Sequence, residues 1–235
     1  MARLADRLIE NLGNVRGRMD DAARRAGRDP ADITLLIVTK YAPDEAVQAL
    51  AALGPCELGE SRPQQLIQRA GLMPDAKWHL IGHLQRNKVR ALLPHVALIH
   101  SVDSLRLLER IDQIAGELGV RSNVLLEVNV SGEAAKDGFD PERLRSEWTQ
   151  CAAAANVDLC GFMTMAPLDS DPDSARPVFQ RLRELRDELQ AMPVARPQPI
   201  RLSHLSMGMS SDFEAAIAEG ATIVRIGSAI FEGIS

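Results

Sequence analysis

The chain has 235 residues, 46% of them hydrophobic and 25% charged, with a formal net charge of −5. That balance describes an ordinary water-soluble fold with enough apolar mass for a substantial core, as compatible with one barrel-sized domain as with two small ones. The 27 basic residues are spread rather than clustered, no apolar run approaches membrane-spanning length, and the first residues lack the apolar core of a signal peptide. Nucleic-acid binding and membrane insertion are therefore not expected, and the expected location is the cytoplasm.

Taken in order, residues 3–27 predict a helix, with Leu4, Leu8, Leu12, Val15 and Met19 on one face and Gly27 and Pro30 as its stop. A strand–helix rhythm follows. Strands are predicted at 33–39, 56–59, 78–82, 97–101, 124–130, 159–165, 200–205 and 222–226. Helices are predicted near 44–53, 62–70, 85–93, 103–118, 141–154, 172–190 and 211–219. The strands are runs of apolar and β-branched residues, as befits parallel strands covered on both faces. Eight such units argue for a closed (β/α)8 barrel of the TIM type spanning about 33–235, preceded by the N-terminal helix, in one domain over residues 1–235. An open doubly wound sheet would usually carry a glycine-rich turn after its first strand; here that turn is Thr39-Lys40-Tyr41-Ala42-Pro43. The stretch from Pro193 to Pro199 reads as a loop between a helix and a strand, not as a linker.

Barrel chemistry gathers just past the C-terminal ends of the strands. The residues there are Lys40, Glu60 and Ser61, His83, Ser101 and Asp103, Asn129, Met163 to Met165, Ser206 to Ser211, and Gly227 with Ser228. Lys40 closes the first strand. Partly desolvated at the rim, a lysine can act as a neutral amine and form a Schiff base with a carbonyl; alone it also fits a strand that simply ends in water. The loops after strands seven and eight are where barrels often bind phosphate. Ser206-Met207-Gly208-Met209-Ser210-Ser211-Asp212 is rich in glycine and hydroxyls and opens a helix, while Gly227-Ser228 lets backbone approach an anion. Ser210-Ser211-Asp212 also reads as an ordinary helix cap. A Schiff-base lysine beside a phosphate cradle is the outline of a pyridoxal 5′-phosphate (PLP) site.

Other candidates are weaker. Cys56, Cys151 and Cys160 form no metal-spaced pair and are expected to be reduced thiols. His79 and His83 have HxxxH spacing but span a strand and its loop, so no dedicated metal site is expected. His83 has no acid partner evident in the sequence, and Lys136-Asp137 fits a mobile lid and a plain turn equally.

At these motifs the sequence resembles a known family. Ile37-Val38-Thr39-Lys40, Leu58-Gly59-Glu60, Trp78 to Lys88, Val128-Asn129, Lys136 to Phe139, Gly161 to Met165, Leu205 to Ser210 and Val224 to Gly227 look like the YggS/PROSC family, the PLP homeostasis proteins. The resemblance runs in order over nearly the whole chain. It implies a barrel related to the N-terminal domain of alanine racemase, with PLP held as a covalent aldimine on Lys40. It implies Arg225 near the pyridine nitrogen, and Gly227, Ser228 and one of Ser206 and Ser210 near the phosphate. The chain departs from the family at Ser61, where asparagine is usual, and at His83 and Arg86, where proline and serine are common.

An arginine at the pyridine nitrogen disfavours its protonation and weakens the ring as an electron sink. Racemisation also needs a second base, which in alanine racemases is a tyrosine from a C-terminal β-domain; the one tyrosine here is Tyr41, beside Lys40. The first expectation is therefore a monomeric PLP-binding protein that buffers the cofactor or delivers it to PLP-dependent apo-enzymes, with no catalytic residues of its own. A PLP enzyme such as a low-activity amino-acid racemase is the alternative, and a cofactor-free Schiff-base aldolase the third reading.

Overall fold

The computed structural model describes residues 2–54, 56–133, 137–167, 172–194 and 200–234. Lys136 and residues 195–199, singled out above, lie outside them. Helix α1 (Ala2–Arg25) precedes eight strands: β1 (Thr34–Val38), β2 (Glu57–Glu60), β3 (Lys77–Leu80), β4 (Leu98–Val102), β5 (Ser122–Glu127), β6 (Val157–Met163), β7 (His204–Ser206) and β8 (Ile223–Ile226). All pair in parallel in the order β1 to β8, and β8 pairs back onto β1, so the barrel closes. Between them lie α2 (Asp44–Ala52), α3 (Pro63–Leu72), α4 (Val89–Leu92), α5 (Leu105–Leu118), α6 (Pro141–Ala152), α7 (Pro172–Ala191) and α8 (Phe213–Ala218). No helix among the described residues is long and apolar enough to cross a membrane.

Among the described residues seven helices follow seven strands, and the eighth place in the outer ring is taken by α1, which packs against α2 and α8. Its buried face is Leu8, Leu12, Val15 and Met19, the stripe its periodicity predicts. Three hydrogen bonds fasten it there: Asn11 Nδ2 to the carbonyls of Ile230 and Glu232, and Arg18 Nε to Glu214.

The apolar core has two parts. A large shell lies between barrel and helices, and a small lumen cluster of Leu36, Leu98, Leu125, Met163 and Ile223 fills the barrel axis. Gly161 makes the second possible. It has φ +150, and a Cβ there would sit 1.9 Å from the His204 carbonyl oxygen. The β5–β6 register slips beside it, from Val124↔Leu159 to Leu125↔Gly161, a bulge that restores the inward aim of Met163.

The structure revises three predicted elements. The helix expected near 85–93 is a single turn, α4, flanked by 3-10 turns at Arg86–Lys88 and Leu93–His95, the second holding Pro94. The seventh strand starts at His204 and not at 200, because the Gln190 side chain pairs with the Ile200 carbonyl and the Leu202 N–H where a neighbouring strand would. Strand six starts earlier, at Val157, since Asn156 is tied back to Asp112 through its backbone N–H.

Candidate functional site

The predicted residues Lys40, Ser206, Ser210, Arg225, Gly227 and Ser228 come from β7, β8 and β1, three consecutive staves of the barrel, or from the loops leaving them. Two close approaches weld these loops together. A Cβ on Gly227 would lie 3.0 Å from the Val38 oxygen, so the loop after β8 rests on the end of β1 two residues before Lys40. The Arg225 N–H donates to the Gly208 carbonyl at 3.0 Å, tying β8 to the loop after β7. Gly208 has φ +92 and a Cβ there would meet Ala216 at 2.6 Å, so this turn requires glycine.

Within this surface the backbone N–H groups of Ser210, Ser211, Gly227 and Ser228 donate to no acceptor among the described residues. Ser210 and Gly227 are half-buried, and Ser211 and Ser228 exposed. Asp212 is buried and used locally: its Oδ1 accepts the Met209 N–H at 2.6 Å, and burial raises its carboxyl above the ordinary range. Asp212 thus braces the loop and not the helix: its side chain accepts no N–H of α8, so the side-chain cap expected of Ser210-Ser211-Asp212 is not formed, and hydroxyls and N–H groups of the loop are left over.

Lys40 lies just beyond β1 with its side chain exposed, its Nζ 4.9 Å from the Tyr41 ring centroid. The partial desolvation expected of it is not present in this structure. What is fixed is the turn that carries it. Arg69 of α3, itself 2% exposed, donates from Nη1 to the Thr39 carbonyl and from Nη2 to the Ala42 carbonyl, each at 2.9 Å. The same guanidinium pairs with Glu60 Oε2 at 2.9 Å and Asp44 Oδ1 at 2.7 Å. Glu60, expected as a rim group, instead points outward into the shell: its neighbour Gly59 faces Leu36 and Ile81 in the lumen, and the pleat sends the next side chain the other way. Fully buried, the Glu60 carboxylate also accepts from the N–H of Ser61 and Arg62. Arg69 and Glu60 together form a buried clamp on the Lys40 turn.

Arg225 and Ser206 lie in the barrel interior. Arg225 is 5% exposed and Ser206 fully buried. Arg225 Nη1 donates to the Ser206 carbonyl at 2.7 Å and to Ser206 Oγ at 2.8 Å, and Nη2 donates to the Thr164 carbonyl at 2.9 Å. A guanidinium has five N–H groups, so donors remain that no described residue takes up. Burial pulls Arg225 down to about 10, against the opposing pull of Glu127 and Asp212, and it stays cationic at neutral pH. Ser206 Oγ also lies 2.9 Å from His100 Nδ1.

Sequence reasoning passed over Glu127, the last residue of β5. It is 7% exposed, and burial, aided by Asp103 and Asp137 and opposed by Arg225, pushes its carboxyl up to about 7. Its signal was a lone acid at the end of an apolar strand, in step with inward-facing Leu125. His83 does have acid partners, from two other loops: Asp103 at 3.2 Å and Asp137 at 3.8 Å. Asn129 shapes the loop after β5 by accepting from Ser131 and Gly132 and donating to the Glu133 carbonyl. Ser101 Oγ donates to the Gly82 carbonyl, Thr164 is buried, and Met165 is exposed. His79 points into the lumen, where it meets His100, whereas the His83 side chain is exposed on the rim.

The alanine racemase N-terminal domain family matches residues 11–234 of this chain. The PLP homeostasis protein of Aquifex aeolicus is 42% identical, the match covering 94% of this chain and 96% of that one. The protein of that name from Escherichia coli K12 is 34% identical over 95% of both. Among solved structures, PipY of Synechococcus elongatus PCC7942, a structure with PLP bound, superposes with a TM-score of 0.81 at 36% identity over 95% of this chain and 99% of that one. An alanine racemase of Clostridium difficile shares the fold at 17% identity and a TM-score of 0.71, with 96% of this chain covering 56% of that one. On its sequence, its closed barrel and these likenesses, the chain belongs to the PLP homeostasis protein family, within the wider alanine racemase N-terminal domain family.

Proposed function

We propose that this protein binds PLP at the C-terminal rim of the barrel, through Lys40, and serves in PLP homeostasis by holding the cofactor reversibly for release to PLP-dependent apo-enzymes. The observation that carries the reading is the meeting of three features on adjacent staves: the Lys40 amine after β1, free N–H groups after β7 and β8, and spare donors of a buried arginine from β8. They match the cofactor's aldehyde, phosphate and ring nitrogen in chemical type. When bound, PLP supplies an aldehyde that condenses with the lysine amine, water leaving, in a link that hydrolysis reverses.

The chain's own residues do the rest. Ser210, Ser211, Gly227 and Ser228 offer N–H and hydroxyl groups to the phosphate. Because the Ser206 hydroxyl is engaged by Arg225 and His100, Ser210 is the serine we assign to the phosphate. Arg225, a donor with no lone pair to give, would serve the ring nitrogen of the bound cofactor and keep it unprotonated. The Arg69–Glu60 clamp holds the turn that presents Lys40. The exposure of Lys40 suits a protein that takes up and releases a ligand better than a sealed active site that excludes water.

The test is the visible spectrum of protein loaded with PLP, compared with a Lys40→Ala variant. The reading expects a Schiff-base band in the parent that is absent in the variant, and transfer of the cofactor to an added apo-enzyme. Turnover of D- or L-amino acids by the loaded protein, lost in the same variant, would replace the homeostasis role with an enzymatic one.

A further inference from the structure

A line of polar side chains crosses the barrel interior, from its N-terminal end to Arg225. Arg225 Nη1 meets Ser206 Oγ at 2.8 Å, and Ser206 Oγ meets His100 Nδ1 at 2.9 Å. His100 Nε2 meets His79 Nδ1 at 2.9 Å, and His79 Nε2 lies 3.5 Å from Glu57 Oε2. Ser206 and His100 are fully buried and His79 nearly so, beside the lumen cluster of leucine, isoleucine and methionine, with His204 near both histidines and Glu127 near Arg225. Glu57 opens β2, where it also pairs with Lys77 at 3.3 Å, and its wall borders a cavity of about 450 Å³ lined by Arg16, Asp20 and Thr34 among others. Placing four polar groups on a barrel axis is costly unless every one is paired.

The Arg225 end sets the direction of every bond, and the Glu57 carboxylate facing His79 at the other end agrees with it. Arginine can only donate, and a carboxylate can only accept. Ser206 Oγ therefore accepts from Arg225, and its own proton has one acceptor in reach, His100 Nδ1. His100 must then carry its proton on Nε2 and give it to His79 Nδ1. His79 carries its proton on Nε2, facing Glu57. The reverse arrangement fails at both ends. It leaves the Ser206 hydroxyl proton without an acceptor, and it sets a lone pair of His79 against the Glu57 carboxylate. Burial holds both imidazoles below their ordinary range, His79 at about 4, so each ring is neutral with one proton to place.

We propose that Ser206, His100 and His79 are positioning residues: a one-directional hydrogen-bond relay, running from Arg225 to a His79 ring that faces Glu57, that helps hold the Arg225 guanidinium in place as a donor to the rim. The relay stands on its own geometry; its effect on the cofactor rests on the reading that Arg225 faces the ring nitrogen. The relay explains why a serine lies at the inward end of β7 and why two histidines lie inside apolar strands β3 and β4.

The experiment has two arms. In cofactor-free protein, long-range proton–nitrogen NMR of the histidine rings reports the tautomers. The expected result is both His79 and His100 neutral with the proton on Nε2, and Arg225 Nη protons in slow exchange. Ser206→Ala should lose the slow signal of the Arg225 Nη1 proton that Oγ accepts, while the protons held by the Ser206 and Thr164 carbonyls stay slow, and Ser206→Thr, which keeps the hydroxyl, retains all of them. A proton on Nδ1 of either ring, or an imidazolium at neutral pH, overturns the relay, and so does an unchanged Arg225 signal in Ser206→Ala. In PLP-loaded protein, Ser206→Ala should change the pH profile of the visible band and weaken cofactor binding about tenfold, the loss of one charge-assisted hydrogen bond; His100→Phe, which removes the acceptor of the Ser206 proton, should change the profile in the same direction by less, and Ser206→Thr should match the parent. Unchanged profiles in both variants overturn the coupling to the cofactor. If no band forms in the parent, the binding reading fails and the NMR arm alone decides the relay.

Discussion

Replacing Arg69 by methionine tests the clamp under the Lys40 turn. The change keeps most of the side-chain volume and removes the charge. Glu60, with a fully buried side chain, then loses its cation, and the carbonyls of Thr39 and Ala42 lose their donors. Breaking a buried pair by removing one partner costs about 3–5 kcal/mol, because an uncompensated charge stays behind. For a chain of this size each kcal/mol moves the melting point by about 2–4 °C, so R69M should melt about 6–20 °C below the parent. Glu60→Gln should cost less, about 1–3 kcal/mol, because Arg69 keeps its pairing with the half-exposed Asp44. The double variant should fall well short of the sum of the two losses, since the second change removes the stranded charge. Chemical unfolding of the four proteins measures this cycle, and PLP titration of the same set reads the effect on Lys40. A loss below about 1 kcal/mol in R69M, or strictly additive losses, would refute the clamp.

Two further outcomes follow from the same structure. Gly161→Ala asks an alanine to take φ +150 with its Cβ 1.9 Å from the His204 oxygen, so β6 and β7 must part; the expected cost is about 3 kcal/mol or more, read as a low melting point or insoluble protein, and near-parent stability would contradict the bulge. Glu127 has its carboxyl raised in the folded state from 4.5 to about 7, so the protonated form is favoured by folding and that contribution is lost as pH rises through 7. Glu127→Gln should therefore stabilise the protein at pH 8, by up to roughly 3 kcal/mol, with a gain that shrinks toward pH 5. A stability gain independent of pH would show that the carboxyl is not held neutral.

Much of the architecture was legible because parallel strands covered on both faces are nearly continuous apolar runs, and eight of them recur with helices between. The rim followed, since barrel topology puts every strand end on one side; Lys40, Gly227 and Ser228 needed only the strand count. Side-chain direction was harder. Glu60 and Ser206 both sit at strand ends and both read from the sequence as rim residues, yet one points into the helical shell and the other into the lumen. Parity along a strand decides this, and a bulge such as that at Gly161 resets it without a signal the sequence shows on its face. Arg69 and the Ser206–His100–His79 line were missed for another reason: their partners lie 9 to 106 residues away in sequence, so no local motif announces them.

The central claim is that Lys40 anchors PLP. Its most direct measurement is borohydride reduction of the PLP-loaded protein followed by mass mapping of the modified residue. The account predicts one phosphopyridoxyl group, on Lys40, with loss of the visible band. Modification at another lysine with Lys40 untouched would contradict it.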